Sequence, residues 1–304
     1  MRARHLGAIA VGLALGAAAV VSWATTPDPI SAAALPAHEP DIANGARLFL
    51  IGGCASCHAA KDAKGDERLK LGGGQRLETA FGTFVVPNIS SSEEGIGGWT
   101  TAQFATAIVK GVSPAGEYFY PAFPYDSFAR MKLDDVIDLK AYLDSLPPVA
   151  RKNEPNDLIF PFSIRRGMAA WRWLYLSDAP VIDPDTLSPE ALAGQYLVEG
   201  PGHCGACHTP RTVMGGMEAD KWLAGAPGLD GPGKVPNLTP SKDGLEAWSA
   251  KDIAYFLESG FKPDYDTAGG AMVDVIRNLA KAPAEDREAI AAYLKAIPPL
   301  PNGY

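Results

Sequence analysis

Cys54-Ala55-Ser56-Cys57-His58 decides how this chain is read, and it returns with two changes as Cys204-Gly205-Ala206-Cys207-His208. Two thiols two residues apart can form thioethers to the two vinyl groups of one porphyrin. The adjacent histidine is then placed under the iron as its proximal axial ligand. The chain has four cysteines and these motifs use them all, which leaves none for a disulfide or a zinc site. A bare C-x-x-C reads equally as a redox or zinc pair; the histidine attached to it, twice, selects heme. The sequence therefore predicts two covalently bound heme c groups. Cys54, Cys57, Cys204 and Cys207 are the attachment points, and His58 and His208 are the metal ligands.

Outward from the motifs, the two halves repeat each other. Ala193-Gly194-Gln195-Tyr196-Leu197 matches Asn44-Gly45-Ala46-Arg47-Leu48 ahead of the motif, and Val235-Pro236-Asn237-Leu238-Thr239 matches Val86-Pro87-Asn88-Ile89-Ser90 behind it. Trp248-Ser249 matches Trp99-Thr100, and each Asn precedes its Trp by eleven residues. Ala292-Tyr293-Leu294 with Ile297-Pro298-Pro299 matches Ala141-Tyr142-Leu143 with Leu146-Pro147-Pro148. A period of about 150 residues means a tandem of whole domains rather than a solenoid. Each half reads as a small, mostly helical domain whose core is completed by a heme.

In the first half the pattern predicts a helix over Ala43–Gly52 and a charged, Gly-rich loop over Lys61–Leu77. Gly72-Gly73-Gly74 in that loop lacks the G-K-[ST] of a phosphate cradle. A short strand over Phe81–Val86 follows, then a helix capped by Thr100 with Phe104, Ala105, Ile108 and Val109 on one face. A last helix runs over Leu133–Leu146, with Asp134 and Asp135 suiting its first turn. The expected organisation is a leader (1–24), a Pro/Ala-rich tether (25–41), a first domain (42–149), a linker (150–189) and a second domain (190–304). The linker holds a Trp- and Arg-rich helix over Phe162–Leu176. It reads as packed between the domains with its arginines toward water, against a competing reading as a docking surface or the support of a heme edge.

A heme that only passes electrons usually has both axial positions filled. Outside the motifs the histidines are His5 in the leader, His38 in the tether and His203, which abuts Cys204. Methionine is therefore the expected distal ligand, and thioether ligation raises the potential. For the second heme the candidate is Met272, in a Gly-rich irregular loop. For the first it is Met131, although Met131 does not align with Met272; Phe123 falls closer to that place. Met168 or an open site are the alternatives. Trp99, Trp248, Asn88 and Asn237 are candidate heme contacts, each with a competing reading as a core residue bonded to backbone.

Arg2, Arg4 and His5 precede a charge-free run from Leu6 to Ala24, within the span of roughly 17–25 residues that crosses a bilayer. The arginines set the N-terminus in the cytoplasm. Ser22-Trp23-Ala24 also resembles a cleavage site, which would make the run a signal peptide. The length of the run, the interfacial Trp23 and the tether favour an uncleaved anchor. Covalent heme implies export to the periplasmic side of the bacterial inner membrane. With a net charge of −8 and no basic patch with interleaved aromatics, nucleic acid is excluded as a partner.

Together these residues resemble the membrane-associated diheme cytochromes c, similar to the cytochrome c subunits of periplasmic alcohol, gluconate and aldehyde dehydrogenases. The resemblance covers about Asn44 to Pro299 and also rests on Gly95-Ile96-Gly97-Gly98-Trp99, Tyr120-Pro121-Ala122-Phe123-Pro124-Tyr125 and Cys207-His208-Thr209-Pro210-Arg211. It implies a mostly α fold of two tandem class I cytochrome c-like domains preceded by one N-terminal hydrophobic helix. It also implies electron transfer, without catalysis, from a dehydrogenase subunit to a quinone, a cytochrome or an oxidase of the respiratory chain. Some relatives carry methionine where Phe123 stands, which throws weight on Met131. The rival readings are a diheme peroxidase, which needs a displaceable distal ligand, and a freely diffusing shuttle.

Overall fold

Two glycines set the helix crossings on which each half is built. A Cβ on Gly45 would lie 2.1 Å from the Asp138 carbonyl oxygen, and one on Gly194 would lie 1.9 Å from that of Ala289. No side chain fits at either place, so the backbones touch. In the first half, helix α1 (Ile42–Ile51) crosses α5 (Leu133–Ser145) there; in the second, α7 (Pro189–Glu199) crosses α11 (Ala284–Ala296). The computed structural model describes residues 16, 19–20, 22–228 and 233–304.

Between these helices lie α2 (Cys54–His58), α3 (Thr101–Lys110) and α4 (Tyr125–Phe128) in the first half, and α8 (Gly205–His208), α9 (Ala250–Ser259) and α10 (Met272–Leu279) in the second. The helix starts follow their sequence signals. Asp41 accepts the amides of Ala43 and Asn44 at the start of α1. Thr100 with Gln103, and Ser249 with Asp252, close capping boxes on α3 and α9. The buried apolar side chains form two clusters. One gathers Leu48, Phe49, Phe104, Val136 and Leu143 around Ala55 and Ala59; the other gathers Leu197, Val198, Ile253, Ile290 and Leu294, and takes Ile51 from the first half. A hairpin β1 (Arg76–Thr79) and β2 (Gly82–Val85) is extended by β3 (Asp157–Leu158) from the linker, all antiparallel. A shorter pair, β4 (Ala226–Pro227) and β5 (Lys234–Val235), lies in the second half.

Two expectations about the linker need correction, and the tether is docked on the first half. Ile30 and Leu35 pack on the first cluster, the Ile30 amide donates to Thr106 Oγ1 (2.9 Å), and His38 Nε2 lies 2.7 Å from Asp138 Oδ1. The linker helix, α6 (Met168–Tyr175), is shorter than read, because Pro161 and the 3-10 turn Arg165–Gly167 occupy its start. Its arginines do not all face water. Arg165 lies over the Tyr120 ring (5.2 Å) and Arg172 over the Tyr118 ring (4.8 Å), while Trp173 and Leu174 point outward. Most of Leu6–Ala24 falls outside the described residues; among the described residues no helix is long and apolar enough to cross a membrane.

Candidate functional site

Helix α1 ends at Gly52, and Gly53 turns the chain into α2 with a positive φ of 59°. Cys54, Cys57 and His58 thus ride one short helical turn, and Cys204, Cys207 and His208 ride its counterpart at α8. Burial pushes the Cys54 and Cys204 thiols up to about 12 before heme is attached. Among the described residues no group of three or more His, Cys, Asp or Glu side chains is placed to hold a metal ion.

The two histidines are held in the same way. His58 Nδ1 donates to the Pro87 carbonyl at 2.8 Å, and His208 Nδ1 donates to the Pro236 carbonyl at 2.8 Å. A carbonyl oxygen only accepts, so the proton is fixed on Nδ1 and the lone pair on Nε2. Burial lowers both imidazole pKa values, that of His58 to about 4. A neutral ring with a free Nε2, oriented through its other nitrogen, is what iron ligation requires.

The loops carrying those carbonyls are braced by Asn88 and Asn237. Asn88 Nδ2 donates to the carbonyls of Val149 (2.7 Å) and Arg151 (2.9 Å), and its Oδ1 accepts the Ser90 amide. Asn237 Nδ2 donates to the Leu300 carbonyl (2.9 Å), and its Oδ1 accepts the Thr239 amide. Both asparagines are buried and fully engaged with backbone. They tie the Pro-Asn turn to the tail of each half and so position the histidine.

Gly73 and Gly225 complete this side, and the sequence reading missed them. Gly73 N donates to the His58 carbonyl and Gly225 N to that of His208, both at 2.8 Å. Their φ angles are +68° and +83°. A Cβ would meet the Pro87 oxygen at 2.3 Å in the first half and the Val235 oxygen at 2.8 Å in the second. The signal was present in Gly72-Gly73-Gly74, but the second half offers only one glycine at the matching place.

The two candidate methionines differ. Met131 is buried in the first cluster with Ala55, Leu48 and Phe128. Met272 is half-buried and opens α10, where the sequence suggested an irregular loop. Phe123 packs among Phe119, Tyr125 and Phe128. Trp99 and Trp248 are half-buried against their clusters. Trp171 and Trp222 give their indole N–H to Met214 O and Tyr293 Oη; among the described residues no acceptor takes that of Trp99 or Trp248. A heme carboxylate would satisfy them. Neutral histidines and paired thiols on the same turn fit heme c.

The two attachment turns also face each other. His203 Nε2 donates to the Gly52 carbonyl (3.2 Å), and Asn278 Nδ2 donates to Ser56 Oγ (3.1 Å); the Cys57 thiol is pushed up mainly by burial and further by the nearby Cys207. Around them the contacts are reciprocal. Arg47 forks onto Asp286 at 2.8 and 2.6 Å, while Tyr196 Oη donates to Asp135. Arg47 and Tyr196 are repeat equivalents, and Asp135 and Asp286 each precede by seven residues the matched Tyr142 and Tyr293. Asp126, which sequence reasoning also missed, is buried between Arg130 and Arg211 of the opposite half; burial raises its pKa against the pull of those arginines.

Two such turns, with histidines preset for iron, define a c-type cytochrome with two heme attachment sites. The cytochrome c family matches residues 42–147. A diheme cytochrome c-type protein of Cereibacter sphaeroides is 51% identical over 99% of this chain and 100% of its own length. The cytochrome c subunit of the Gluconobacter oxydans quinone alcohol dehydrogenase is 35% identical over 90% of this chain. The cytochrome c subunit of the Pantoea cypripedii gluconate 2-dehydrogenase is 35% identical over 86%. This chain spans only 58% and 60% of the lengths of those two subunits. The chain belongs to the diheme c-type cytochromes and carries two covalently bound heme c groups.

Proposed function

We propose that this chain is the periplasmic electron-transfer partner of a dehydrogenase and passes electrons to an acceptor of the respiratory chain: a quinone, another cytochrome or an oxidase. In this reading residues 42–149 and 190–304 are both cytochrome c domains. His58 with Met131 and His208 with Met272 hold the two irons, and Leu6–Ala24 anchors the chain to the inner membrane. Bound heme c supplies a reversible one-electron couple. The protein's part is to fix each histidine through its Nδ1, to shield the site with the apolar cluster, and to bring the two sites together.

The observation that carries the proposal is the meeting of the two attachment turns at Gly52 and His203. A relay between two hemes depends on such a junction. Relatives that are named cytochrome subunits of alcohol and gluconate dehydrogenases support the donor class. Native purification from detergent-solubilised membranes, with mass spectrometry of co-eluting chains, tests it. A flavin-, quinone-cofactor- or molybdenum-containing dehydrogenase is expected with the intact chain. Recovery of the chain alone from the soluble periplasm, beginning after Ala24, would contradict both the fixed complex and the anchor.

A further inference from the structure

The linker puts apolar side chains where a soluble protein buries them. Phe160 and Trp173 are 80% and 84% exposed, and Ile159, Ile164 and Leu174 are more than half exposed. Along α6 the exposed Ala170, Trp173 and Leu174 share one side at helical spacing, while Trp171, on the other side, is buried with its indole held by Met214 O. The polar residues of this segment are biased as well. Residues 159–176 contain Arg165, Arg166 and Arg172 and no acidic residue, in a chain whose net charge is −8.

The neighbour of this face is the end of the N-terminal apolar run. Arg166 Nε donates to Thr25 Oγ1 (3.1 Å) and its Nη2 to Ser22 Oγ (3.3 Å). Tyr118 Oη, beneath Arg172, donates to the Thr25 carbonyl (3.0 Å). The exposed Trp23 stands in the same place. Tryptophan and arginine beside a hydrophobic run are the residues of the membrane–water boundary. A short amphipathic helix with Trp and Leu on its outer face is stable lying in that plane.

We infer that residues 159–176 lie in the membrane–water interface, with Phe160, Ile164, Trp173 and Leu174 in contact with lipid. The segment is tied to the first half by β3 on β2 and to the second by Trp171 on the 212–216 loop. It would therefore hold both halves at a fixed height on the membrane. The inference rests partly on the anchor reading, because Ser22 and Thr25 bring the leader to this face.

The test uses the full-length diheme protein in phosphatidylethanolamine–phosphatidylglycerol vesicles doped with a photoactivatable acyl-chain label, followed by peptide mapping. Label in both 6–24 and 159–176 is expected. Label in 159–176 from a chain that begins after Ala24 supports the interface and removes the anchor. Label in 6–24 without label in 159–176 leaves the anchor standing and overturns the inference; the face then belongs to a protein partner. No label in either overturns both. A Trp173→Ser/Leu174→Ser variant, altered only at exposed positions, is expected to keep two hemes and lose most labelling of 159–176. Undiminished labelling of that segment would also overturn the inference.

Discussion

The histidine sides of the two halves are near copies, and the surroundings of the two candidate methionines are not. On the first, the Nδ1-to-proline-carbonyl distance is 2.8 Å in both, and the same asparagine and glycine brace each histidine. Of the two candidate methionines, Met131 is buried after α4 and Met272 is half-buried where it opens α10. The comparison separates what heme attachment imposes from what is free to vary. Two thioethers and one axial nitrogen must meet a rigid ring, so that side admits little change. The distal side sets potential and exposure, and two hemes in series gain from being unequal there.

The shared frame breaks most severely at its helix crossings. Gly45→Ala and Gly194→Ala each force a Cβ into a carbonyl at 2.1 and 1.9 Å. Each is expected to cost about 3 kcal/mol by overpacking, equally in both halves, read by denaturant unfolding followed through heme absorbance. One silent variant would mean that the crossings are not equivalent. Gly73→Ala and Gly225→Ala come next, each with about 1–3 kcal/mol of backbone strain. Gly73→Ala is expected to be worse, since its Cβ meets Pro87 O at 2.3 Å against 2.8 Å for Val235 O in the other half. Redox titration should show the first heme shifted more than the second.

The distal difference is sharpened by Met131→Leu and Met272→Leu, near volume-conserving changes expected to cost under about 1.5 kcal/mol. Each should remove methionine-to-iron absorption and lower the potential of one heme while two hemes are retained. Loss of both signals from one variant would refute the assignment of one methionine to each iron. The smallest effect is expected at the docked tether. The hydrogen bond that His38 donates to Asp138 holds the His38 pKa above its ordinary 6.5. Burial pushes Asp138 up, but bonds from Asn44, the Asp41 amide and His38 outweigh it and hold it low. For a raised histidine the contribution is complete below pH 6.5 and is lost as pH rises through the higher folded value. The protection factors of residues 30–41, with the intrinsic pH dependence of exchange divided out, should therefore fall as pH rises through the folded His38 value, and His38→Ala should abolish that fall.

Much of this was legible in the sequence because covalent chemistry fixes spacing: C-x-x-C-H, the Pro-Asn turn behind it and the capped helix after each tryptophan all fell where expected. The role of Asn88 was not legible. Its partners Val149 and Arg151 lie some 60 residues away, and only the folded tail brings them to its amide. Docking of the tether was hidden for the same reason, since His38 meets Asp138 a hundred residues on. The linker misled because three arginines in a helix read as its wet side. Two of them lie flat on tyrosines of the first half, which leaves Trp173 outside.

In the proposed function the two attachment sites form one internal relay across the Gly52–His203 junction. The direct measurement is time-resolved absorbance after the diheme protein receives less than one electron per chain. Redistribution between the two hemes is predicted at a rate independent of protein concentration, and slowed when Arg47→Ala loosens the Asp286 pair that clamps the halves. A rate that rises in proportion to protein concentration would mean that electrons pass between molecules, and would contradict the relay.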